Sequence, residues 1–170
     1  LNTIKDWVEN GNDSPWVTWQ RATEENEVRT LIAAELRKHS KGFYTIAEEP
    51  ELANEQRMDI WLDNPSVSSP VPIELKLLDK GWSGPKLCER LRNQLVGDYL
   101  REETAGCGIF LLISQKATKK WDINGKRVDV DGLASALKDY WKTIDDRYVG
   151  VEEIEVIVID MKKRALVCDT

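Results

Sequence analysis

A chain of 170 residues, 41% apolar and 32% charged, is long enough to bury one continuous core and too apolar to be disordered. Its net charge of −6 disfavours a bare polyanion binder, because nucleic-acid affinity is driven by positive charge and counterion release. The longest apolar run, Gly108 to Ile113, falls far short of the roughly 20 residues a membrane span needs.

No basic-then-apolar leader opens the chain, so an intracellular, cytoplasmic protein is expected. Leu1 in place of Met suggests a piece of a longer polypeptide. Cys88, Cys107 and Cys168 are widely spaced with no CxxC pair, which argues against a disulfide frame or zinc knuckle and for buried small hydrophobes. The charge is uneven: residues 74–127 hold eleven Lys/Arg against seven Asp/Glu, a local +4 that leaves −10 elsewhere. Seven tryptophans are a large flat apolar surface for one domain, and some are expected to pack against a partner.

Residues 1–22 read as an irregular, Trp-rich segment with a turn at Gly11 to Pro15. From Thr23 the pattern becomes helical: acids at 24, 25 and 27 start it, Val28, Leu31, Ile32 and Leu36 recur at helical spacing, and Arg37, Lys38 and His39 suit the last turn before Gly42. Phe43 to Glu49 reads as a strand. Met58, Ile60 and Leu62 then alternate with Asp59, Trp61 and Asp63, and after a Pro/Ser loop Ile73, Leu75 and Leu77 alternate with Glu74 and Lys76, which predicts a hairpin.

Ser83-Gly84-Pro85 opens a second helix, expected to run to about 103 with Leu87, Leu91, Leu95 and Tyr99 on one stripe. Gly106 to Ser114 is an uninterrupted apolar strand buried in the middle of a sheet. Lys116 to Arg127 is a basic loop with a possible hairpin at Asn124-Gly125. Leu133, Leu137, Tyr140 and Trp141 mark a third helix, and Ile154 to Asp160 and Ala165 to Cys168 closing strands. This order predicts a single α/β domain: a three-layer α/β/α sandwich with a central mixed sheet, its core at about 24–115, followed by a C-terminal helix and strands over 128–170.

Residues two apart on a strand share a face, so Glu74 and Lys76 point the same way. With Asp59 on the paired strand, two carboxylates and an ammonium converge. Close carboxylates relieve their repulsion by a raised pKa or a bound cation. Mg²⁺ or Mn²⁺ prefers oxygen ligands, and Asp59, Glu74 and the carbonyl of Leu75 supply such a set, leaving Lys76 to orient a water or offset charge at phosphorus. Lys116, Lys119 and Lys120 in the basic loop are candidates for phosphate-backbone contact. The plainer alternatives are an exposed strand salt bridge and a solubilising loop.

Asp59, fourteen residues, then Glu74-Leu75-Lys76 resembles the D…(D/E)xK signature of the PD-(D/E)XK nuclease superfamily, over residues 24–115; Met58 stands where the motif has its Pro. The resemblance implies a restriction-endonuclease-like αβββαβ core and a Mg²⁺-dependent nuclease acting on DNA before RNA. It also implies a glutamate from the first helix, Glu27 or alternatively Glu24. Gln94 and Tyr99 are similar to a Gln-x-x-x-Tyr element of one branch, with four residues between them instead of three. A catalytically silent module of the same fold that binds protein or nucleic acid is the rival, and an unrelated α/β domain with exposed acids the third reading. An acidic domain handling a polyanion is expected to need a neighbouring domain of the same polypeptide or self-association.

Overall fold

The computed structural model describes residues 1–50, 58–66, 69–100 and 106–162, with the side chains of 98 and 99 outside that description. A five-stranded mixed sheet carries helices on both faces. In chain order the elements are α1 (Asn2–Asn10), the single turn α2 (Trp16–Trp19), α3 (Glu25–Ser40), β1 (Thr45–Glu48), β2 (Ile60–Asp63), β3 (Val71–Leu77), α4 (Gly84–Arg90) running on as a π-helix (Leu91–Leu100), β4 (Cys107–Ser114), β5 (Trp121–Ile123), β6 (Lys126–Val128), α5 (Val130–Lys142) and β7 (Glu153–Asp160).

The sheet order is β1-β2-β3-β4-β7. β1, β2 and β3 pair antiparallel, whereas β3–β4 and β4–β7 are parallel. A parallel neighbour needs a crossover, and α4 with its π-helical extension and α5 supply the two crossovers. β3 is therefore central, and it is buried on both faces from Pro72 to Leu77.

The side chains of β3 sort by parity. Ile73, Leu75 and Leu77, each at most 1% exposed, face Val28, Ile32 and Leu36 of α3 and Ile4 and Val8 of α1. Burying each such side chain contributes about 1.5–3 kcal/mol. Glu74 and Lys76 alternate with them and so share a face with Phe110 and Leu112, their register partners on β4. That second face is covered by Leu87, Leu91 and Leu95 and by Leu133 and Leu137 of α5.

Two expectations need correction. Residues 1–22 are not irregular: Ile4 and Val8 recur at helical spacing and are buried, so α1 packs onto the sheet, and Asp160 donates its backbone N–H to buried Glu9 at 2.7 Å. Gln115 fixes the segment after α2 by donating to the carbonyls of Trp19 and Ala22 at 2.9 and 2.6 Å. Nor is any tryptophan exposed. Trp19, Trp121 and Trp141 are buried and the other four partly so, which removes the argument from exposed indoles to a partner.

The Asn124-Gly125 hairpin is present as β5–β6, with both residues at positive φ. Winding past Arg90 as a π-helix brings Val96 and Leu100 into the core beside Leu91 and Leu95. The predicted strand at Ala165 to Cys168, and Cys168 itself, lie outside the described residues. Among the described residues no helix is long and apolar enough to cross a membrane.

Candidate active site

Where β3 leaves the sheet, its polar parity meets the chain just before β2 and the first turn of α3. The β2–β3 register places Ile60 opposite Ile73, so Asp59 at the entry to β2 lies beside Glu74 and Leu75. Its Oδ2 accepts the backbone N–H of Leu75 at 2.8 Å. Glu25, in the first turn of α3, reaches past the end of β3, and its Oε1 accepts the N–H of Leu77 at 3.1 Å.

Lys76 stands at the centre. Its Nζ lies 2.6 Å from Glu74 Oε1, 3.4 Å from Glu25 Oε2 and 3.8 Å from Asp59 Oδ2. Three carboxylates thus share one ammonium. Arg29 adds a guanidinium on the far side of Asp59, 3.6 Å from Oδ1, while also pairing with Glu49 at 2.9 Å. Trp82 closes the fourth side, its ring centroid 5.6 Å from Lys76 Nζ and its indole N–H donated to Glu25 Oε1 at 3.2 Å.

Glu74 is 0% and Lys76 6% exposed, while the side chains of Asp59 and Glu25 are partly buried at 18% and 28%. An exposed strand salt bridge is therefore not what these residues form. Taking ionised groups out of water costs several kcal/mol each, so three acids round one lysine is an arrangement that packing alone does not favour.

The titration behaviour follows from this crowding. Burial pushes the Asp59 carboxyl above the usual carboxylate range, with Glu25 adding to the effect and Lys76, the Leu75 N–H and Arg29 opposing it. For Lys76 burial is the largest single influence and acts downward. Glu74, Asp59 and Glu25 together outweigh it and hold the ammonium above its ordinary range. Perturbation by burial and specific charged partners together is found at functional sites and in structural ion-pair networks alike.

The donors suit a hard divalent ion in kind, being carboxylate and carbonyl oxygens with more negative charge than Lys76 alone offsets. Among the described residues no group of three or more His, Cys, Asp or Glu side chains is placed to hold a metal. Mg²⁺ typically takes only one or two carboxylates, with water and substrate oxygens for the rest, so Asp59, Glu74 and the Leu75 carbonyl fit its chemistry.

Of the predicted site residues, Asp59, Glu74, Leu75 and Lys76 are brought together and Glu27 is not. Glu27 caps α3, its carboxylate accepting the backbone N–H of Thr23 at 2.6 Å and of Glu24 at 3.1 Å, which lowers its pKa. Glu24 pairs with Lys80 at 2.6 Å. The acid that α3 contributes is Glu25, and helical phase could have found it: it lies three residues before Val28 and seven before Ile32, on the buried stripe.

Gln94 accepts from Arg90 Nη1 at 2.9 Å, and Arg90 lies 5.7 Å from the Trp82 ring, which links Gln94 to the cluster in steps. The Tyr99 side chain lies outside the described part. Lys116, Lys119 and Lys120 are exposed. Lys119, however, is turned inward to the Trp82 carbonyl at 2.6 Å. Lys116 is held through its backbone N–H, donated to Asp79 Oδ1 at 2.8 Å. No protein-family model matches this chain, and no curated protein aligns with it significantly.

Proposed function

We propose that this chain is a metal-dependent phosphodiesterase of the PD-(D/E)XK type that hydrolyses nucleic acid, DNA in preference to RNA. The observation that carries the reading is the meeting of Asp59 and Glu25 with the buried Glu74 and Lys76 at the exit of a central strand. The chain order α3, β1, β2, β3, α4, β4 is in keeping with a restriction-endonuclease-like core.

In this reading Asp59, Glu74 and the Leu75 carbonyl hold Mg²⁺ or Mn²⁺. Such an ion, when bound, would supply Lewis-acid polarisation of the phosphodiester and a more acidic water. Lys76, kept protonated by its three acids, orients the attacking water and offsets negative charge as it builds at phosphorus. Glu25 sets the direction of the ammonium. Asp59 must be ionised to serve as a ligand, and burial favours its neutral form in the metal-free chain, so a cation and a proton would compete at this carboxylate.

The test is an assay of single- and double-stranded DNA and RNA with Mg²⁺ and Mn²⁺, beside calorimetric titration with Mn²⁺. Asp59→Ala and Glu74→Ala should each abolish cleavage and the Mn²⁺ heat with the fold intact by circular dichroism. Cleavage that survives both substitutions would discard the assignment.

A second reading is a binding module of the same architecture, catalytically silent. It is favoured by the pairing of Glu74 with Lys76 at 2.6 Å, which offsets that carboxylate's charge without a metal. An unchanged calorimetric baseline on Mn²⁺ addition to the wild-type chain would select it.

A further inference from the structure

Trp82 sits at a crossing of contacts that the acid-lysine motif does not explain. Its indole N–H is donated to Glu25 Oε1 at 3.2 Å, and that same oxygen accepts the N–H of Leu77. The ring lies 5.6 Å from Lys76 Nζ and 5.7 Å from Arg90 Cζ, so one indole touches both the central ammonium and the cation that connects to Gln94. An aromatic face attracts a cation most when both are desolvated, as at Lys76.

The backbone of Trp82 is held as tightly as its ring. Its carbonyl accepts two donors from the β5–β6 side, Lys119 Nζ at 2.6 Å and the buried Trp121 Nε1 at 2.9 Å. Two residues on, Gly84 seats its backbone directly on Asp122: a Cβ at 84 would stand 1.7 Å from the Asp122 carbonyl oxygen. No side chain larger than hydrogen fits that approach. Trp121 and Ile123 anchor the hairpin in the core from behind.

We propose that Trp82 is a positioning residue that fixes the Glu25–Lys76 pair, and that the β5–β6 hairpin acts as its clamp through Lys119, Trp121 and the Gly84–Asp122 contact. Lys119 then serves the site through the Trp82 carbonyl and not by touching a phosphate. Glu25 lies in the first turn of α3, and two donors on one oxygen hold its other oxygen toward Lys76. The catalytic consequence rests on the nuclease reading; the positioning itself does not.

The experiment therefore has a spectral arm and a kinetic arm, both on the whole chain. Seven tryptophans give seven indole N–H signals in a ¹⁵N spectrum, and Trp82→Phe identifies the Trp82 signal by its loss. Glu25→Gln should shift that signal by weakening its charged acceptor, and Lys119→Met should shift it by loosening the clamp. A Trp82 signal unmoved by Glu25→Gln overturns the proposal whether or not the chain cleaves nucleic acid.

In the kinetic arm Trp82→Phe, which keeps a ring and loses the N–H, should lower kcat about tenfold, the scale of one hydrogen bond to a charged group, at unchanged KM. Lys119→Met should lower kcat in the same sense without raising KM. A raised KM at unchanged kcat would make Trp82 and Lys119 substrate contacts and overturn the proposal. A wild-type chain without cleavage, but with the Trp82 signal moved by Glu25→Gln, sinks the nuclease reading and leaves the positioning in place.

Discussion

Among the described residues three lysines meet buried glutamates, and two of them, Lys5 and Lys76, do so in opposite ways. Lys5 pairs with Glu9 one helical turn away on α1 and also donates to the Val158 carbonyl, while Glu9 accepts the Asp160 N–H. The contacts to Val158 and Asp160 tie α1 to the edge strand β7. Lys76 instead gathers Glu74, Asp59 and Glu25 from three separate elements. The first cluster spends its charge on joining two elements; the second concentrates acids beyond what its own lysine offsets. Buried charge in excess is costly, and a site that carries it has a use for an incoming cation.

Removing each lysine-centred contact should break this comparison if it is wrong. Lys76→Met leaves three carboxylates facing one another and should destabilise the metal-free chain by about 3–5 kcal/mol, the range for stripping one partner from a buried ion pair. Mg²⁺ at millimolar concentration should restore part of the lost thermal midpoint. Glu9→Gln keeps an acceptor for the Asp160 N–H and should cost only about 1–2 kcal/mol, with no response to Mg²⁺. Equal losses, or a Mg²⁺ response in both variants, would show the two clusters to be the same kind of structural ion pair.

A subtler effect is expected at Asp59. Its folded-state pKa is raised above the ordinary 3.8, so its protonated form is the one the fold favours. That contribution is fully present below pH 3.8 and is lost as the pH rises through the folded value. Above it, the ionised carboxylate works against the fold. Asp59→Asn retains an acceptor for the Leu75 N–H and removes the charge, so it should raise metal-free stability at neutral pH. It should also flatten the pH dependence of unfolding just above pH 3.8 and abolish the Mn²⁺ heat. Urea titrations across pH would show it, and a destabilised Asn variant at neutral pH would mean that pairing with Lys76 and Arg29 outweighs burial.

How far this was readable beforehand depends on which physical signal each part carried. Strict alternation in Ile73, Leu75 and Leu77 makes β3 legible, and with it the shared face of Glu74 and Lys76, because period two is a property of the backbone. The unbroken apolar run at Cys107 to Ser114 likewise announces an interior strand. The helix at Asn2–Asn10 stayed hidden because its apolar stripe is only Ile4, Trp7 and Val8, with no capping side-chain bond at Leu1. Trp82 could not be read at all, because it joins the site through a tertiary contact from the loop before α4, whose local pattern says nothing of it. Arg29, one turn after Glu25 on α3, carried the same helical-phase signal.

The choice of acid on α3 gives the smallest effect and the finest discrimination. Glu25 and Glu27 are two residues apart, hence about 200° apart around a helix, and cannot serve the same site. Glu27→Gln removes charge-assisted acceptors from the N–H groups of Thr23 and Glu24, so it should lower the thermal midpoint slightly at neutral pH. Because the Glu27 pKa is lowered, its contribution is present above the ordinary 4.5 and lost as the pH falls through the folded value, so the variant should match the wild type in acid. Cleavage and the Mn²⁺ heat should be unaffected. Glu25→Gln should alter both, since it takes one of three negative charges from Lys76 and the acceptor from Trp82. If Glu27→Gln silences the site while Glu25→Gln spares it, the helix meets the sheet in a different rotation from the one that places Glu25 against Leu77, and the geometry of the whole cluster falls with it.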